Sequence, residues 1–213
     1  PVSEEHHTDL RNIARIIGGD HVPEDVWRIR SFADALAELE RIGPGINVVP
    51  LVGHGTIRIA VMGMEQRDPT ETELEEMKRL TTKAMEEGAF GLSSGLIYVP
   101  AIYARTEEII ELAKIVGQYH GLYTTHMRSE GDDVMQAMDE ALRIGQAGEV
   151  PVVISHHKVM GRANWGRSVE TLQKFEETRA RGQEVVLDQY PYTAGSTYLA
   201  ALLPPSIQAG GYK

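Results

Sequence analysis

Two histidines of this chain stand in the same local context. Gly121-Leu-Tyr-Thr-Thr-His126 and Val150-Pro-Val-Val-Ile-Ser-His156 are short apolar or β-branched runs behind a turn signal. Both read as buried strands. Each delivers an imidazole at its carboxyl end, with a cation just beyond: Arg128 after the first, Lys158 after the second. The two histidines are 30 residues apart, about one strand–helix–strand unit. Neighbouring parallel strands with histidines at their C-terminal ends are how a β/α barrel builds a metal site. A zinc held there would acidify a bound water and polarise a carbonyl. Lys158 and Arg128 could hold an anionic group of the substrate. A zinc hydrolase with His126 and His156 as ligands is therefore the leading expectation.

Other reactive side chains fall at the same kind of position. They are His54, Ser93 and Ser94, His157 beside His156, and Asp188 with Tyr190. Blander readings stand next to each. Gly53-His54-Gly55 can be a tight turn. Asp188 can hydrogen-bond backbone ahead of the Tyr-Pro turn. Arg162, Arg167 and Lys158 can form a solvated loop. His6, His7, His21 and His120 lie in polar surroundings and are expected to face solvent.

The elements that must position these residues alternate along the chain from Arg28. Phe32 to Ile42 has helical spacing and stops at Gly43-Pro44-Gly45. Ile46 to Val52 reads as a strand. Thr70 and Glu73 form a capping-box signature ahead of a helix that ends near Gly88. Ala89 to Ser93 reads as a small strand, and Thr106 to Gln118 as a helix. After the Gly121–His126 strand, Val134 to Gly148 is helical. Beyond the Pro151–His156 strand, Ser168 is expected to cap another helix, followed by a strand over Glu184–Asp188. Five strands interleaved with helices, without hairpin signals, imply a parallel sheet, doubly wound or barrel-like. No Gly-x-Gly-x-x-Gly follows a strand, which disfavours dinucleotide binding. Five strands cannot close an eight-stranded barrel.

The 213 residues suffice for one substantial core. A formal charge of −10 argues against nucleic acid or an anionic membrane as partner. No apolar run is long enough to span a bilayer, and a cytoplasmic location is expected. Cysteine is absent, so any metal site here must use His, Asp or Glu. The chain starts Pro1-Val2-Ser3 without methionine and stops just past an apolar stretch. A piece of a longer protein is the expectation.

Five segments together resemble the N-acyl-D-amino-acid deacylases (D-aminoacylases) of the amidohydrolase superfamily. They are Gly53-His-Gly-Thr-Ile-Arg58, Gly91-Leu-Ser-Ser-Gly-Leu-Ile-Tyr-Val-Pro100, Thr125-His-Met-Arg128, Ile154-Ser-His-His-Lys158 and Asp188-Gln-Tyr-Pro-Tyr-Thr-Ala-Gly195. The resemblance implies an α/β fold, a partial TIM-type (β/α)8 barrel of roughly strands three to seven, lacking the first two and the last. It places that barrel over residues 28–198, with 1–27 unplaced and 199–213 opening an accessory segment. It implies zinc, and hydrolysis of an N-acyl-D-amino acid to a D-amino acid and a carboxylate. His126 and His156 would be the zinc ligands, and Lys158 and Tyr190 would bind the α-carboxylate. Ile97 would line the side-chain pocket, and Ser196 is expected near the carboxylate. His54, His157, Arg128 and Ser94 are candidates to line the site. The family's His-x-His pair, zinc-binding cysteine and aspartate general base have no counterpart here, so no catalytic base is assigned. Two other readings compete. One is a cyclic-amide relative of the dihydroorotase or hydantoinase kind, and the other a non-catalytic α/β fragment. A homo-oligomer is admitted, because an opened barrel exposes sheet edges and apolar surface.

Overall fold

In a computed structural model of the chain, residues 6–18, 27–197, 199–203 and 207 are described. Five parallel strands form one sheet: β1 (Val52–Gly53), β2 (Gly91–Gly95), β3 (Leu122–His126), β4 (Val152–Ile154) and β5 (Val185–Leu187). The helices are α1 (His7–Gly18), α2 (Phe32–Ile42), α3 (His54–Met62), α4 (Glu71–Glu86), α5 (Thr106–Gln118), α6 (Val134–Gly148) and α7 (Ser168–Ala180). The strands lie in chain order, β1-β2-β3-β4-β5. A doubly wound sheet reverses direction at a switch point, so that alternative is excluded. Successive helices also pack on one another, α3 on α4, α4 on α5 and α5 on α6. This is the arrangement of a β/α-barrel segment.

Register and alternation divide the sheet into two unlike faces. Leu92, Tyr123, Val152 and Val185 are paired across four strands, and all are buried. They meet the helices together with Met77, Leu112 and Met138. The residues one step along, Ser93, Thr124, Val153 and Val186, point the other way. That face is less buried, and Val186 is 47% exposed on it. His126 has the parity of Thr124 and belongs to this open face.

Local chemistry explains most element ends. Thr70 and Glu73 make the expected reciprocal capping box of α4. Ser31 and Asp34 make a second one for α2, which ends on Gly43 in the left-handed region (φ 66°). Ser168 does not cap α7. Arg167 holds the cap position, and Ser168 instead accepts from the Thr171 hydroxyl through its carbonyl at 3.0 Å. The strand expected over 46–52 shrinks to Val52–Gly53. Pro50 has no N–H for a ladder, and Ile46 and Val49 lie 79% and 55% exposed at the sheet's edge. Helix α3 begins directly at His54, where a turn was an open reading. The unplaced N-terminal segment holds α1. His21, Tyr198 and most of the expected accessory segment lie outside the described residues. Among the described residues no helix is long and apolar enough to cross a membrane.

Candidate functional site

His126 closes β3 on the open face, where Gly95 of β2 is its register partner. His156 lies two residues past β4 and has φ 41°, the left-handed region that costs a non-glycine residue about 1–2 kcal/mol. Asp188 holds it there. The His156 N–H donates to Asp188 Oδ1 at 2.6 Å, and the His157 N–H to the Asp188 carbonyl at 2.8 Å. The resulting turn swings the His156 ring toward His126. The ring centroids are 4.4 Å apart, and His126 Nδ1 faces His156 Nε2 directly. Burial, reinforced by the neighbouring His156, holds the His126 imidazole below the ordinary histidine range. A ring kept neutral in this way is the ligand form.

A charged cluster backs the pair. Lys158 Nζ donates to Glu130 at 2.7 Å and lies 2.9 Å from His156 Nδ1. Glu130 Oε1 is 2.8 Å from that same nitrogen. Lys158 Nζ also sits 5.4 Å from the centre of the Tyr190 ring, and the Tyr190 and His156 ring centres are 6.3 Å apart. The structure thus gathers His126, His156, Lys158 and Tyr190 at one place. It adds Glu130 and Asp188. Sequence reasoning passed over Glu130, whose only local signal is the polar run Ser129-Glu-Gly-Asp-Asp133.

A cavity of about 680 Å³ opens beside His126, within the usual range for small-molecule sites. Gly53, Ser93, Gly95, Tyr98 and Ser196 are on its wall. Leu10 and Ile13 of α1 close one side, a contribution the sequence did not signal. The Tyr98 hydroxyl lies 3.2 Å from that of Thr197, so the segment after Tyr190 spans the cleft. Ser94 borders the cavity, but its hydroxyl is engaged with Tyr123 and Thr125 at 2.7 and 2.9 Å. Ile97 is half-buried in the loop whose Tyr98 and Val99 form the wall.

Three further candidates are placed elsewhere. His54 is fully buried at the start of α3, with Nε2 2.7 Å from Glu108 Oε1. Arg58 donates to the other Glu108 oxygen at 2.5 Å. Arg128 is committed to Glu140 and to the carbonyls of Ile102 and Ala104, so its guanidinium ties loops together instead of facing the cavity. His157 is buried against Phe175, and its Nε2 is 2.9 Å from the Thr171 hydroxyl.

Two facing imidazole nitrogens at adjacent strand ends suit zinc as part of a donor set. Among the described residues no group of three His, Cys, Asp or Glu could hold a metal ion. The residues present therefore fit the ion as two ligands of a larger set.

Comparison with known proteins bears on what such a site serves. The chain is 49% identical over 173 residues to a D-aminoacylase of Alcaligenes xylosoxydans xylosoxydans, covering 81% of this chain and 36% of that protein. A solved D-aminoacylase, described as defining a novel subset of amidohydrolases, superposes with a TM-score of 0.76 at 47% identity, covering 79% of this chain and 35% of the other. An N-acyl-D-glutamate deacylase from Bordetella bronchiseptica, solved with zinc and a phosphonate mimic of the tetrahedral intermediate, gives a TM-score of 0.73 at 41% identity over 76% of this chain and 34% of the other. No family profile matches. The chain spans about a third of the length of these relatives.

Proposed function

Because the chain belongs in sequence and fold to the D-aminoacylase family of amidohydrolases, we propose that it forms the histidine-bearing part of a zinc site that hydrolyses the amide of N-acyl-D-amino acids. The products are a D-amino acid and a carboxylate. The observation that carries this reading is the pairing of His126 Nδ1 with His156 Nε2 at the ends of β3 and β4, beside Lys158 and Tyr190.

His126 and His156 would hold the metal, which when bound supplies a Lewis acid for the acyl carbonyl and an acidified water. The protein's own groups orient the substrate. The Lys158 ammonium is the available partner for an α-carboxylate, and Tyr190 confines it from one side. Fixing the carboxylate and the amide at two points decides which enantiomer can present its scissile bond. Ile97 and the loop around it are proposed to meet the side chain, and Ser196 to lie near the carboxylate. Asp188 is not the general base in this reading, since its carboxylate holds the His156 amide. Proton transfer is assigned to a residue outside those described. The relatives reported above are named for linear amides, and no observation favours the cyclic-amide alternative.

The test is zinc content of the purified chain by elemental analysis, with His126→Ala as control. About one zinc per chain, lost in the control, is expected of two adjacent histidine ligands. A wild-type chain without zinc, or a control that keeps it, would overturn the assignment.

A further inference from the structure

Glu130 has no place in the reading so far, yet it is 9% exposed and touches both groups that matter most. Its Oε1 lies 2.8 Å from His156 Nδ1. Both of its oxygens lie 2.7 Å from Lys158 Nζ. Its backbone carbonyl accepts from the Met160 N–H at 2.7 Å, so the loop after β3 is tied to the loop after β4 at the same residue.

We propose that Glu130 is a positioning residue: its carboxylate accepts the Nδ1–H of His156 and thereby leaves the Nε2 lone pair turned toward His126, while its charge anchors Lys158. The proposal rests on the zinc-site reading for its purpose but not for its geometry. Only one tautomer of His156 serves as a ligand through Nε2. With the proton on Nε2, the nitrogen facing His126 has no lone pair to give. The competing donor to Nδ1 is Lys158, 2.9 Å away, and its donation would force that unproductive tautomer. An anionic oxygen at 2.8 Å settles the contest, because a charge-assisted N–H···O⁻ bond is worth roughly twice a neutral one. The ammonium is meanwhile satisfied by Glu130 and by the His156 carbonyl at 2.9 Å. Carboxylates behind ligating histidines fix tautomer and ring orientation in general, and their loss costs roughly 10- to 100-fold in metal affinity.

Two measurements on the same chain test this. The first is the long-range ¹H–¹⁵N spectrum of the metal-free, histidine-labelled protein, with the His156 signals assigned by their loss in His156→Ala. The second is zinc affinity by competition with a chromophoric chelator. Wild type is expected to carry the proton on Nδ1. Glu130→Leu removes the acceptor and leaves Lys158 as the partner of Nδ1, so the proton should move to Nε2 and affinity should fall roughly 10- to 100-fold. Lys158→Met removes the competing donor and should leave the tautomer unchanged. Should Glu130→Leu fail to fold, Glu130→Asp, one methylene short of the contact, is expected to shift the same signals. An unchanged tautomer in the Glu130 variants, or a switch produced by Lys158→Met instead, overturns the proposal even if affinity falls. A wild-type chain that binds no zinc overturns the metal reading, and the tautomer shift then decides the role of Glu130 by itself.

Discussion

Single side chains divide by how local their environment is. His126, His156 and Lys158 were legible because a strand pattern runs straight into them, and the alternation of that pattern fixes their face. Glu130, Glu108 and Asp188 were not, since each acquires its partner from a segment 28 to 54 residues away. Glu108 is the sharpest case. Burial raises its pKa, but the hydrogen bond and charge of His54, and then Arg58, outweigh this and leave it below the ordinary 4.5. A carboxyl with a depressed folded pKa contributes stability that is fully present above its unfolded value. That stability is lost as pH falls through the folded one. The chain should therefore keep its urea midpoint down to about pH 4.5 as far as this group is concerned, then lose stability below it. Glu108→Gln leaves Arg58 buried without its anion. It should cost about 3–5 kcal/mol at neutral pH and flatten the acid limb of the curve. Parallel curves for the two proteins would exclude Glu108 as a source of acid sensitivity.

Among the elements, the long amphipathic helices were readable, and the first strand was not. Apolar periodicity over more than ten residues leaves little choice, whereas Ile46-Asn-Val-Val-Pro-Leu-Val52 has strand composition without a neighbour to complete its ladder. Close approach between helices is equally invisible to periodicity. Gly117 on α5 and Gly148 at the end of α6 meet backbone to backbone, and a Cβ on Gly117 would run into the Gly148 carbonyl oxygen. Gly→Ala inside a helix ordinarily gains up to about 1 kcal/mol. Here the sign should reverse, because a carbonyl cannot move aside as a side-chain end can. Gly117→Ala is expected to lose about 1–3 kcal/mol, the usual range for forced overpacking, with an unchanged denaturant slope. A gain in the urea midpoint would show that α5 and α6 can slide apart freely.

At the scale of the molecule, alternation of strands and helices announced a parallel sheet. The choice between a doubly wound sheet and a barrel segment needed the strand order, which no local signal carries. That order also separates two tasks onto the two faces of one sheet. The helix-covered face holds the core, with Leu112, Tyr123 and Ile154 all fully buried. The open face and its C-terminal rim hold the site. Residues on opposite faces without shared partners should contribute independently. Leu112→Ala is then expected to cost about 2–5 kcal/mol in stability and to leave the zinc affinity of the folded chain unchanged. His126→Ala should do the reverse, abolishing zinc binding while moving the urea midpoint of the metal-free chain little, since the ring is half-buried and hydrogen-bonds only its site partner. Urea titrations of both variants without metal, set beside zinc competition at low denaturant, would read the two effects apart. If Leu112→Ala weakened zinc binding in a chain still fully folded, the strand ends would be set by helix packing behind the sheet, and the site would be no more rigid than the core beneath it.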